Sequence, residues 1–93
     1  MNELKIQKEL RQFVKKRDWE KFHKLKNIAI SINLESSELL EIFQWENENS
    51  NFWLKKKTKS LIEEEIADVM LYLLRFVDIA KIDLEKACLE KIK

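Results

Sequence analysis

The stretch SLIEEEIADVMLYLLRFVDIA, residues 60–80, decides the fold of this chain. From Ile66 to Ala80, apolar side chains occur on nearly every side of a helix, which is typical of a buried central helix. The stretch contains neither glycine nor proline, and the same is true of the whole 93-residue sequence. Because tight hairpins and βα connections draw heavily on glycine, this composition predicts an all-α protein.

Three further helices are predicted around this central one. The first helix is expected at about residues 2–16, and the second from Trp19 or His23 to Trp45. The central helix is expected from 50–52 to Ala80, and a short last helix follows Asp83. Asp18 is expected to cap the second helix and Asp83 the last one. The segment ENENSN, residues 46–51, is the clearest loop. The length predicts one domain over residues 1–93, a bundle of about four helices.

The charge of the chain argues against two classes of partner. Lysine and arginine number 18 and the acidic residues 17, which leaves a formal net charge of +1. No helix carries a sustained basic face, so a nucleic-acid binder fits poorly. The longest apolar run, residues 69–74, is too short to cross a bilayer, and the charged N-terminal segment lacks a signal-peptide core. We therefore expect a soluble, cytoplasmic protein that binds neither nucleic acid nor a membrane.

Two clusters of basic residues can be interpreted in two ways. Basic residues cluster at 15–17 and 55–59. Each cluster is either a solvated face or a basic rim near a phosphate-bearing ligand. Cys88 is the only cysteine, so no intrachain disulfide can form, and we expect it to be a small core residue.

Two pairs of carboxylates interrupt the apolar faces of the second and central helices. Glu35 lies in the middle of the apolar stripe of the second helix, and Glu38 lies on its edge. Glu65 and Asp68 have the same spacing on the central helix. Carboxylates that face one another inside a protein repel unless a cation lies between them. The alternative is that these side chains are solvated, since Glu-x-x-Glu arises by chance in helices rich in lysine and glutamate.

This set of oxygen ligands favours a hard metal ion. Carboxylates suit Mg²⁺ first, with Mn²⁺ as a substitute. Zinc is disfavoured because neither a second histidine nor a suitable cysteine accompanies His23. The Glu-x-x-His spacing of ferritin-like di-iron proteins is absent. Magnesium held by carboxylates completes its shell with water and substrate phosphates, which indicates phosphoryl chemistry on a nucleotide.

Aromatic side chains occur at helical spacing from these carboxylates. Trp45 and Tyr72 each lie seven residues, or two helical turns, after a carboxylate of the two pairs. Trp19 and His23 are four residues apart. Together they could form a flat box around a base. Taken singly, each aromatic side chain is more often a core or interface residue, and His23 a polar residue at the edge of a helix.

Three segments form a specific ordered pattern, RDWEKFH at 17–23, ESSELLEIFQW at 35–45 and EEEIADVMLYL at 63–73. This pattern resembles the MazG-like all-α nucleoside triphosphate pyrophosphohydrolases, and within them the dCTP pyrophosphatase branch. The resemblance covers about residues 17–91. It implies that the ligands of a divalent metal are the four carboxylates already singled out, Glu35, Glu38, Glu65 and Asp68.

The resemblance also implies a nucleoside pocket and a reaction. The residues implied to contact substrate are Trp19, Phe22, His23, Trp45, Tyr72 and the last-helix lysine, Lys91. The implied reaction is hydrolysis of a (deoxy)nucleoside triphosphate, dCTP or a modified dCTP, to the monophosphate and pyrophosphate. We expect Glu38 to orient or deprotonate the attacking water, and a homodimer or homotetramer to complete the bundle. The alternative function is a non-catalytic, homo-oligomeric interaction or regulatory module.

Overall fold

Four α-helices and two short 3₁₀ turns make up the described part of the chain. This computed structural model describes residues 1–47 and 50–93. In chain order the elements are α1 (Glu3–Lys16), a 3₁₀ turn (Glu20–Phe22), α2 (Leu25–Phe43), a second 3₁₀ turn (Phe52–Leu54), α3 (Lys56–Ala80) and α4 (Leu84–Ile92). No strand occurs in these two ranges, so the predicted all-α class is confirmed. Of the predicted loop at 46–51, Glu48 and Asn49 lie outside the described residues.

The core of the chain lies where α1, α2 and α3 meet. Val14 of α1, Ile28 of α2 and Leu74 of α3 are the most buried apolar side chains, with exposed fractions of 1%, 2% and 0%. Burying a side chain of this size contributes about 1.5–3 kcal/mol. One buried residue from each helix therefore stabilises the packing of α1 and of α2 on α3.

Two polar contacts set how α1 lies along α3. The buried Gln7 donates from Nε2 to the carbonyl oxygen of Leu74 at 3.1 Å. One turn further along α1, Arg11 donates two hydrogen bonds to the Asp78 carboxylate, at 2.7 and 3.0 Å. These partners are 67 residues apart in sequence, so the contacts are tertiary. They fix the position of α1 on α3, and with it the place where the segment after α1 begins.

The connection between α1 and α2 differs from the prediction. Asp18 adopts a left-handed backbone conformation with φ of 55°, which aspartate tolerates better than most residues. The chain then makes the 3₁₀ turn, and α2 begins at Leu25 with Lys24 as its N-cap residue. The prediction that Asp18 caps the second helix is therefore wrong, because its backbone turns the chain before that helix begins.

For the later helices, one predicted boundary agrees with the structure and one does not. The Asp83 carboxylate accepts from the backbone N–H of Lys86 at 3.1 Å, so its predicted role as a cap is confirmed. The helix α3 begins at Lys56 rather than at 50–52, because the 3₁₀ turn and an extended Lys55 come first.

The last helix and much of the central one are less covered than predicted. Cys88 is exposed, so the prediction of a core position is wrong in this chain. The reason is that α4 is short and buries none of its side chains. On α3, only Leu74 and Val77 are buried, and Ile66 is 49% exposed. Across both described ranges, no helix has the length and hydropathy needed to cross a membrane.

Candidate functional site

Four carboxylates from α2 and α3 converge at the interface between these two helices. One carboxylate oxygen from each of four residues lies within 4.8 Å of the others; the residues are Glu35, Glu38, Glu65 and Asp68. Each helix supplies one pair, because residues three apart share a helix face. The packing of α2 on α3 turns the two pairs towards each other. The structure thus brings together the four side chains that the sequence singled out, and metal binding by them stays a prediction.

The cluster is electrostatically unsatisfied. Glu35 and Glu65 are half-buried, and each has a buried Oε2 atom without a hydrogen-bond partner among the described residues. None of the ion pairs in the described ranges involves any of the four carboxylates. Burial, and after it the neighbouring carboxyl of Glu38, raises the pKa of Glu35 and of Glu65 above the ordinary value.

These features fit a divalent cation. Buried carboxylate oxygens without a donor, surrounded by like charges, lack the counter-charge that a metal supplies. Glu38 is the exposed member of the cluster, whereas Asp68 is half-buried like the other two. The site is therefore closed on one side by protein and open to solvent at Glu38.

An aromatic cavity adjoins the carboxylate cluster. A cavity of about 220 Å³ is lined by Trp19, His23 and Tyr72, and Asp68 of the cluster lines it too. The same three aromatic residues line a second cavity of about 210 Å³, to which Phe22 contributes. The structure therefore places four of the predicted nucleoside contacts together, next to a predicted metal ligand.

The wall of this cavity that carries Trp19 is held by α1. The Trp19 backbone N–H donates to the carbonyl oxygen of Val14 at 3.0 Å. Its ring lies edge-on to Phe13 with a centroid separation of 5.6 Å. The Arg17 guanidinium lies 3.6 Å from the centroid of the Phe13 ring. The indole is thus anchored by the C-terminal part of α1 and remains 42% exposed.

Arg75 is a cavity residue that sequence reasoning missed. Its Nε donates to Nδ1 of His23 at 3.2 Å, and its Nη1 lies 3.6 Å from the Asp78 carboxylate. Burial, and then the positive charge of Arg75, lowers the pKa of His23. The available signal was a single arginine inside the otherwise apolar run YLLRFV at 72–77.

Two predicted substrate contacts lie elsewhere. Trp45 is 87% exposed and lines neither cavity. Because α2 ends at Phe43, the helical spacing that placed Trp45 two turns from Glu38 does not extend to it, and the prediction that the second helix runs to Trp45 is wrong. Lys91 is exposed in the last turn of α4 and also lines neither cavity. Contact of either residue with substrate stays a prediction.

Comparison with known proteins identifies the family. The model of the MazG-like family matches residues 30–93, which include all four carboxylates. The chain belongs to the MazG-like family. The membership predicted from three short segments is thereby confirmed.

Members with names and structures extend this result. The dCTP pyrophosphatase 1 proteins of Rattus norvegicus and Homo sapiens are each 32% identical to this MazG-like chain over 84 residues, covering 87% of it and 49% of theirs. The chain thus spans about half the length of the curated relatives it matches. A pyrophosphatase of known structure from Archaeoglobus fulgidus DSM 4304 is 45% identical, with a TM-score of 0.81; the match covers 89% of this chain and 78% of that one.

Proposed function

We propose that this protein is a metal-dependent nucleoside triphosphate pyrophosphohydrolase. The observation that carries the proposal is the position of Asp68, which belongs to the carboxylate cluster and also lines the aromatic cavity. A centre suited to phosphate-bound metal therefore adjoins a cavity suited to a base. The names of the relatives, dCTP pyrophosphatase and pyrophosphatase, support the same reaction.

The proposed cofactor is Mg²⁺, with Mn²⁺ as a substitute. The four residues that would hold it are Glu35, Glu38, Glu65 and Asp68. When bound there, the ion supplies positive charge against the triphosphate and acidifies water. The half-buried carboxylates would fix the position of the centre, because α2 and α3 are packed against each other around them.

The reaction that we propose breaks the bond between the α-phosphorus and the oxygen that bridges to the β-phosphate. Water attacks the α-phosphorus, and pyrophosphate leaves. Glu38 is the exposed carboxylate of the cluster, so it is the member that we propose orients that water and accepts its proton. The products are the nucleoside monophosphate and pyrophosphate.

For the substrate, we propose dCTP or a modified dCTP. Trp19 and Tyr72 offer aromatic surfaces on which a base can stack. Phe22 and His23 extend the same lining. The cytosine base is favoured because the curated relatives carry dCTP in their names.

We further propose that the chain acts as a homodimer or homotetramer. The radius of gyration is 15.4 Å, compared with about 12 Å for a compact domain of this length. Large apolar side chains remain exposed on one face of α2, with Ile30 at 48% and Leu34 at 59%. A second copy that covers this face would give the bundle a fuller core. The cytoplasmic location of the protein stays a prediction.

The test is a substrate panel of dNTPs, NTPs and 5-substituted dCTPs with Mg²⁺, with pyrophosphate and orthophosphate measured separately. We expect pyrophosphate release, fastest with a cytosine nucleotide. Glu35→Gln should lower kcat by about a hundredfold or more, while Glu64→Gln, an exposed neighbour of the cluster, should leave it unchanged. Orthophosphate as the product would mean that a different bond is cleaved. No release from any nucleotide would favour the non-catalytic module.

A further inference from the structure

Arg75 occupies a position from which it controls the only histidine of the chain. It lies three residues after Tyr72 on α3 and shares that face of the helix. Its side chain is only 11% exposed, and it lines the first aromatic cavity with His23. The hydrogen bond from its Nε to Nδ1 of His23 joins residues 52 positions apart.

The direction of this hydrogen bond determines which histidine nitrogen carries the proton. An arginine guanidinium has only donors, so Nδ1 of His23 must act as the acceptor. A neutral imidazole with an acceptor at Nδ1 carries its proton on Nε2. The desolvation of His23 and the charge of Arg75 both disfavour a second proton, and they lower its pKa.

The guanidinium is itself held in place. Its Nη1 lies 3.6 Å from Asp78 Oδ2, and the same carboxylate accepts two hydrogen bonds from Arg11 of α1. Asp78 is mostly buried, with its side chain 13% exposed. Arg75 therefore has a carboxylate on one side and the imidazole on the other, which limits the rotation of both its own side chain and the His23 ring.

We propose that Arg75 is a positioning residue that fixes His23 as the Nε2–H tautomer and so makes it a hydrogen-bond donor to the base of the nucleotide. This inference rests on the proposed function. His23 lines both aromatic cavities, whereas Arg75 lines only the first. Nε2 is the ring nitrogen that does not bond to Arg75, and it donates no hydrogen bond within the described ranges. It can therefore donate to a ligand.

A hydrogen-bond donor at His23 Nε2 favours bases that present an acceptor to it. Cytosine presents two acceptors on its pairing edge, O2 and N3. Uracil and thymine also present acceptors, at O2 and O4, but they carry an N–H at position 3. A His23 donor that meets position 3 is therefore accepted by cytosine and opposed by uracil or thymine. Discrimination of this kind is strong because an opposed donor loses its hydrogen-bond partner. In our proposal, the His23 donor lies opposite position 3, where the Arg75–His23 pair favours a cytosine nucleotide over a uracil or thymine one.

The tautomer is tested by ¹⁵N NMR of the imidazole in the ligand-free protein. A single histidine yields one pair of ring nitrogen signals, and their couplings to the carbon-bound ring protons distinguish Nδ1 from Nε2. We expect Nδ1 to be the unprotonated nitrogen in the wild type and in Lys8→Met, a control that removes a positive charge from an exposed position of α1. Arg75→Met should shift the Nδ1 signal and average the two nitrogens. A protonated Nδ1 in the wild type, or unchanged signals in Arg75→Met, would overturn the proposal.

Kinetics test the consequence for the substrate. Arg75→Met should raise KM for dCTP about five- to tenfold, leave kcat nearly unchanged, and reduce the preference for dCTP over dUTP. Arg75→Gln, which keeps an N–H donor without the charge, should restore part of the preference; it also serves if the methionine variant unfolds. An unchanged preference in both variants would contradict the role in specificity. If the wild type hydrolyses no nucleotide, the proposed function fails, while the NMR comparison still decides the positioning of His23.

Discussion

The repulsion among four carboxylates dominates the site at the scale of single residues. Glu35 and Glu65 each keep a buried oxygen without a donor among the described residues, and the pKa of each is raised by burial and by neighbouring carboxyls. A raised pKa in the folded state means that the ionised group opposes folding at neutral pH. Without a cation, these residues therefore lower the stability of the fold, and a cation bound at the cluster would restore it.

Glu65→Gln tests this balance. In the presence of a chelator, the variant should melt a few degrees higher than the wild type, because one like charge has been removed from the cluster. Addition of Mg²⁺ should stabilise the wild type, by about 2.7 kcal/mol when the free ion is a hundred times its Kd, and should have little effect on the variant. Thermal unfolding with and without Mg²⁺ measures both.

Glu64→Gln is the matched control, since it removes the same charge from the adjacent exposed position on α3. It should keep the response to Mg²⁺. A wild type that shows no response to Mg²⁺ or Mn²⁺ would contradict a metal site in the cluster.

At the scale of elements, the junction of α1 with α3 connects the core to the cavity. The Arg11–Asp78 pair joins these two helices, and Arg75 reaches the same carboxylate. Hydrogen bonding by Arg11 is the main reason that the pKa of Asp78 lies below its ordinary value. The contact that orients α1 therefore also lies next to the residue that orients His23.

Acid unfolding should reveal the contribution of Asp78. Because its pKa is lowered in the folded state, its stabilisation is fully present above the ordinary aspartate value of 3.8 and is lost as the pH falls below it. Asp78→Asn should therefore melt several degrees lower than the wild type at neutral pH, and the difference should shrink as the pH falls below that value. Thermal unfolding across the pH range measures the difference.

The control is Asp18→Asn, whose ion pair with Lys21 is exposed on both sides and should contribute little at any pH. Equal pH profiles for Asp78→Asn and the wild type would show that the junction does not depend on this ion pair.

At the scale of the whole molecule, the single chain leaves its fold partly uncovered. Among the described residues, the buried apolar ones come from three helices, yet α4 buries none of its side chains. The apolar face of α2 that carries Ile30 and Leu34 lies on the side of the helix opposite its buried Ile28. Association of two copies through this face would remove it from water and extend the core.

Leu34→Glu should weaken such an association. A carboxylate buried in an apolar interface loses its hydration without gaining a partner, so the mass measured by light scattering should fall from that of an oligomer towards that of one chain. Leu4→Glu introduces the same group on α1 at a residue that is 75% exposed, and it should leave the mass unchanged. A monomeric wild type at high concentration would contradict the proposed homodimer.

The sequence by itself determined the helical class, the helix faces and the two carboxylate pairs. These are local properties: the absence of glycine, the 3.6-residue period, and a cap such as Asp83 within three residues of its partner. The same local spacing placed Glu35 beside Glu38 and Glu65 beside Asp68 on their helices. It failed at Trp45, because the end of a helix also depends on the packing of the segment after it, and at Asp18, whose left-handed backbone no periodicity reveals.

Only the tertiary structure decided which helix faces meet. The packing of α2 on α3 converts two separate acidic pairs into one cluster, and the packing of α1 on α3 closes the aromatic cavity beside it. The hydrogen bond between His23 and Arg75 spans 52 residues, so helical spacing carries no information about it. Contacts of this kind depend on burial and charge across the whole bundle. Spacing along the sequence does not reveal them, and they become visible only when the helices are packed.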